Sequence, residues 1–144
     1  MMPPTQQPLS AFSSLLGLVV EHAEPGLAVL TCAWRPEFEN MSGVAHGGVV
    51  AALMDTACGV ALTTDADGVR RSRVVTVSFT LSYLAAFREG TVRCEARAAG
   101  GGRKLKTVEV RVTAPDGVTP IAVGHGVFRQ ISGPPAAAQA TDAG

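Results

Sequence analysis

The chain has 144 residues, twelve basic and twelve acidic side chains, and no net charge at neutral pH. That length fits one domain able to bury a sizeable core, and the balanced charge gives no reason to expect nucleic acid or an anionic membrane surface as a partner. The chain carries no long hydrophobic span and no signal-peptide pattern, and its three scattered cysteines, Cys32, Cys58 and Cys94, read as small core residues in a reducing cytoplasm.

Residues 1–9 are proline-rich and are expected to be a flexible lead-in, with the domain running from 10 to 131. Ser10 is placed to cap a short helix over Ala11–Leu16, and Gly17 to stop it. Leu18–His22 and Leu27–Trp34 read as two strands joined through Pro25-Gly26, a hairpin. Arg35–Ala45 follows as an irregular loop containing Pro36, Asn40 and Gly43.

From Val49 to Leu62 the sequence is apolar on every side and free of proline, the pattern of a buried helix. Asp55 is its one ionisable side chain. An isolated carboxylate there is costly without partners; it either faces a solvent channel or a neighbouring chain, or it does chemistry. The helix start favours chemistry. Gly47 and Gly48 have no side chains, so their N–H groups lie open, and the first turn of a helix carries orphan donors and partial positive charge. Such a place holds an oxygen on which negative charge develops. Gly47 and Asp55 are separated by about 12 Å on one helix. If both act on one substrate, Asp55 comes from a second copy, and the site lies between subunits.

Beyond a polar loop at 65–72, Arg73–Tyr83 alternates strictly. Val75, Val77, Phe79, Leu81 and Tyr83 are assigned to the core face, and Thr76, Ser78, Thr80 and Ser82 to the other. Thr91–Ala98, Leu105–Ala114 and Pro120–Ile131 are three further strands, and the segment 132–144 is expected to be a disordered tail. The order is short helix, two strands, long helix and four strands. Tight turns between the strands imply an antiparallel sheet. One apolar helix beside one such sheet is enclosed if the sheet curls around it, an α+β architecture called the hotdog fold.

Asn40-x-x-Gly43-x-x-His46-Gly47-Gly48, with Asp55 nine residues after the histidine, resembles the signature of the PaaI-type hotdog thioesterases. The likeness runs from about Phe12 to Arg129. It implies hydrolysis of an acyl-CoA, aryl or short to medium in chain, without a cofactor. It also implies a homodimer or homotetramer with sites at subunit interfaces. Under it, the Gly47 N–H polarises the thioester carbonyl, Asp55 of the opposing subunit is general base or nucleophile, and Asn40 holds the water or the carbonyl. Thr76 takes the family's water-orienting hydroxyl position, in tension with the face assigned to it above. The same resemblance lays the CoA moiety near Gly48, Tyr83 and Arg88 and over the turn bearing Arg103, Lys104 and Lys106.

His46 has two readings: a base lacking an identifiable orienting partner, or a residue whose ring bonds the loop and fixes the helix start. His22 and His125 stand apart from any cluster with metal-ligand spacing, so no metal is assigned. No Gly-x-Ser-x-Gly elbow and no nucleotide P-loop is present. Two other functions fit the same fold. A non-catalytic acyl-CoA sensor would not need Asp55 with Asn40. A hotdog hydratase or dehydratase would need a histidine working with a carboxylate, and His46 leads straight into two glycines.

Overall fold

The computed structural model describes Pro3 and residues 6–133. The tail expected to be disordered falls, from residue 134 onward, outside the described residues, as do positions 1, 2, 4 and 5 of the lead-in. Within that lead-in, Gln7 is tied down: its side-chain amide donates to the Gly68 carbonyl at 2.6 Å, and its Oε1 accepts from the Arg70 N–H at 3.0 Å.

Helix α1 spans Ala11–Leu15, with Ser10 accepting from the Ser13 N–H and Gly17 turning the chain at φ +69°. Strands β1 (Val19–Glu24) and β2 (Leu27–Ala33) form the first hairpin. A single 3-10 turn at Pro36–Phe38 interrupts the loop that leads to helix α2, Gly47–Thr63. Strands β3 (Arg73–Tyr83), β4 (Thr91–Gly101), β5 (Leu105–Thr113) and β6 (Pro120–Ile131) complete one six-stranded sheet, ordered β1-β2-β4-β5-β6-β3 with every pair antiparallel. The sheet packs across α2. This is the hotdog fold.

The core lies between sheet and helix. Leu53, Met54, Ala57, Cys58 and Ala61 of α2 are buried against inward residues such as Leu30, Val92, Cys94, Val108, Val112 and Phe128. Small residues on β6 make this contact close. A Cβ on Gly126 would stand 2.5 Å from the Phe128 ring and 2.7 Å from Phe79, whose rings meet edge to face with centroids 6.2 Å apart. Enclosure of α2 is nonetheless one-sided. Ala51, Ala52, Asp55, Thr56, Gly59 and Leu62, spaced three and four apart, form a half-buried stripe that the chain's own sheet does not cover.

Strand β3 departs from the alternation read in its sequence. Its pairing with β6 slips between Thr76 and Ser78, so Val77 is an extra residue, a β-bulge. The bulge exchanges the two faces of the strand. Phe79 and Leu81 pack on the core as expected, but Val75 and Val77 are exposed at 45% and 57%, and Val74 packs inward in their place. Tyr83, also assigned to the core face, is 53% exposed at the strand's far end. Among the described residues β3 has β6 on one side and no strand on the other, which leaves it an edge of the sheet.

Candidate active site

The bulge resolves the position of Thr76. It stands opposite the buried Phe128, on the helix side, and its Oγ1 donates to Asp55 Oδ1 at 2.6 Å. Asp55 therefore lies on the uncovered stripe of α2 with one carboxylate oxygen held by a hydroxyl. It borders a cleft of about 330 Å³ between α2, the start of β3 and α1.

The start of α2 is built by three side chains. His46 is the N-cap, and its Nδ1 accepts from the Gly48 N–H at 2.8 Å. The ring accordingly carries its proton on Nε2 in this arrangement. One of the two amides expected to be open is thus taken by the cap, because the imidazole folds onto the first turn; a Cβ on Gly48 would sit 2.9 Å from that nitrogen. The Gly47 N–H has no acceptor among the described residues. Gly47 is also half-buried beneath the ring of Tyr83, whose hydroxyl donates to the Gly47 carbonyl at 3.0 Å. A Cβ there would meet that ring at 3.2 Å. Both glycines therefore make room for a ring as well as exposing backbone, which sequence spacing alone does not reveal.

Asn40 organises the preceding loop. Its side-chain carbonyl accepts from the N–H groups of Ser42 and Val44 at 2.8 and 3.3 Å, an Asx turn that sets the run into α2. Its Oδ1 is engaged within the loop, which leaves the amide nitrogen as the end able to donate outward. The loop is pinned by the bonds from His46 N–H to the Phe38 carbonyl and from Ala45 N–H to the Phe87 carbonyl, at 2.8 and 2.7 Å.

These residues fall into two groups at opposite ends of the sheet. Tyr83 pairs with Ala122 and so lines up with Val112, whereas Thr76 pairs with Phe128 and so lines up with Lys106. The two rows are about 20 Å apart. Asn40, His46, Gly47 and Tyr83 belong to the first end, with exposed Arg88 on the loop after β3. Asp55 and Thr76 belong to the second, with Arg103 and Lys104 in the β4–β5 turn and Lys106 at the start of β5, its ammonium reaching the Gly102 carbonyl at 3.4 Å. The expected CoA surface is therefore not continuous within one chain. Among the described residues no group of three His, Cys, Asp or Glu side chains is near enough to hold a metal ion, and no helix is long and apolar enough to cross a membrane.

A family model described as the thioesterase superfamily matches residues 42–121, more than half of the chain, from the loop before α2 to the start of β6. The chain belongs to the thioesterase superfamily. It is a thioester hydrolase of that superfamily on the hotdog fold. A protein of Halobacterium salinarum carrying an esterase name is 32% identical over 124 residues, which cover 81% of this chain and 82% of its own. The solved structure of a conserved protein from Pseudomonas aeruginosa superposes with a TM-score of 0.77 at 34% identity, covering 85% of this chain and 95% of that one. The PaaI protein of the E. coli phenylacetic acid degradation operon superposes with a TM-score of 0.78 over 87% of each chain, and at 21% identity that likeness is one of fold.

Proposed function

We propose that the protein hydrolyses an acyl-CoA to a free acid and CoA in the cytoplasm, at sites shared between two copies of the chain. The observation that carries this reading is the Asp55 carboxylate, held by Thr76 at the mouth of a cleft on the uncovered stripe of α2. With Oδ1 occupied, Oδ2 is free to take a proton from water. The resulting hydroxide adds to the thioester carbon, and the developing oxyanion meets the Gly47 N–H of the other copy. Collapse breaks the C–S bond, and the proton held by Asp55 passes to the departing sulfur. An oxyanion donor contributes about a hundred- to a thousandfold and a general base about a hundred- to ten-thousandfold. Direct attack by Asp55, giving an anhydride that water then opens, uses the same groups.

His46 acts here through its cap on Gly48, and the Asn40 amide nitrogen is the donor to the water or carbonyl. Arg88 from one end and Arg103, Lys104 and Lys106 from the other meet the CoA phosphates when two copies lie antiparallel about a two-fold axis. That pairing, doubled again in a tetramer, brings each Gly47 end to an Asp55 end. The test is thiol release from short, long and aromatic acyl-CoAs by the parent and by Asp55→Asn. At least a hundredfold loss of turnover is expected, with binding and oligomeric size unchanged. Release by the variant at the parental rate removes Asp55 from the chemistry.

A further inference from the structure

From Asp55 the cleft continues along α2 to Thr63 and is bounded at that end by Arg70. The two α2 positions are eight residues apart, so this wall runs for about 12 Å. Its lining is more apolar than polar, as in most ligand pockets, with Val60, Val74 and Phe128 set beside the hydroxyl side chains of Thr56, Thr63 and Ser72. Ser13, 4% exposed, links Ser10 to Thr56 through contacts of 2.9 and 3.3 Å between hydroxyl oxygens.

Arg70 and Asp55 are the charged side chains at its two ends, while the Arg73 guanidinium at its rim is turned to the Ser132 carbonyl, 3.3 Å away. Arg70 is half-buried and rigidly placed: its Nη2 donates to the carbonyls of Gln7 and Pro8, both at 2.9 Å. Its Nη1 is buried without a hydrogen-bond partner among the described residues, and no ion pair among them includes Arg70. Burial already works against its charge. A half-buried cation in that condition is stabilised by an anion, and a guanidinium matches a carboxylate best.

We propose that the acyl group ends in a carboxylate seated at Arg70, so that the substrates are CoA half-thioesters of dicarboxylic acids. This rests on the thioesterase reading above and adds the far end of the substrate to it. Once the thioester and the arginine have taken their share of the wall, the space left suits an acyl chain of about six carbons.

The experiment compares kcat/KM for adipoyl-CoA and hexanoyl-CoA, alike in length and different in their terminal group. The parent is expected to favour adipoyl-CoA by about ten- to a hundredfold, and Arg70→Gln to bring the ratio close to one. A parent that cleaves hexanoyl-CoA as well or better, or a preference that survives in Arg70→Gln, overturns the proposal. A second measurement needs no turnover. Monomethyl adipate should raise the melting temperature of the parent and dimethyl adipate should not, because the latter has no carboxylate. Equal shifts, or none, overturn the carboxylate seat. If no CoA ester is cleaved at all, the hydrolase reading fails by itself, and the melting shifts still decide this one. Should Arg70→Gln fail to fold, Arg70→Lys takes its place, with the preference expected to weaken because a point charge replaces the planar fork.

Discussion

Thr76 Oγ1 donates to Asp55 Oδ1 at 2.6 Å, joining an edge strand to the middle of the central helix. Hydrogen bonds to charged groups are worth about 1.5–3 kcal/mol. Thr76→Val should therefore lower kcat by about ten- to a hundredfold, and Thr76→Ser should keep most of it. Thr76 is exposed, so water can replace its hydroxyl at Asp55 in the free protein, and the melting temperature should fall by less than the loss in kcat implies. Steady-state kinetics beside thermal melts check both halves; a Val variant at full activity would remove Thr76 from the site.

Tyr83 and Gly47 form one unit at the other end of the helix. Tyr83→Phe deletes the bond to the Gly47 carbonyl and should reduce kcat by about two- to tenfold, the scale of a neutral hydrogen bond. Gly47→Ala pushes a methyl against the tyrosine ring and should cost more. Because both changes act on the same contact, Gly47→Ala with Tyr83→Ala should lose less than the sum of the two single changes. Additive losses in that cycle would show that the residues act separately.

His46 separates its two readings through the choice of replacement. As the cap on Gly48, its loss in His46→Ala should cost about 1 kcal/mol of stability in urea denaturation. Asn is a strong N-cap and has no imidazole, so His46→Asn should recover most of that stability and most of the activity. Activity absent from His46→Asn, in a protein as stable as the parent, would make the ring a catalytic base.

The three thiols supply a pH test. Burial pushes Cys32 up from 9.0 to about 11, and Cys58 further up, where the nearby Asp55 charge adds to burial. Cys94, the most deeply buried, also rises well above 9.0. Raised thiol values mean the folded chain holds these protons where the unfolded chain has lost them. Stability from this source is complete below pH 9.0 and falls as pH climbs through 11 and beyond. Urea midpoints should thus drop between pH 8 and pH 10.5, and iodoacetamide at pH 7.5 should label the thiols only after unfolding. Rapid labelling of the native protein would contradict the burial of all three.

Much of this molecule was legible in its sequence, for particular physical reasons. The all-apolar run before and after Asp55 could only be a buried helix, and it is α2, begun two residues earlier than the run itself because His46 caps it. Ser10 bounds α1 through the hydroxyl that caps it, and Gly17 through the positive φ that it alone adopts without strain there. Strands β3 and β6 have the ends their sequences suggest. What alternation could not show was the extra residue at Val77, since a bulge depends on the partner strand and not on the pattern of the bulged one. The pairing of Tyr83 with Gly47 was equally hidden, because it joins positions 36 residues apart that only the sheet brings together. Arg70 gave no signal beyond its charge; it is the Gln7 and Pro8 carbonyls that hold it at the cleft.

The bulge has a consequence in simple parity. Seven steps separate Thr76 from Tyr83, an odd number, and a regular strand would send one of them away from α2. On β6 their partners Phe128 and Ala122 are six apart, an even number, and both point inward. Val77 absorbs the difference. Delete that single valine and either the aspartate's hydroxyl or the ring over the glycine must turn outward, with every chemical group of the site still present in the chain.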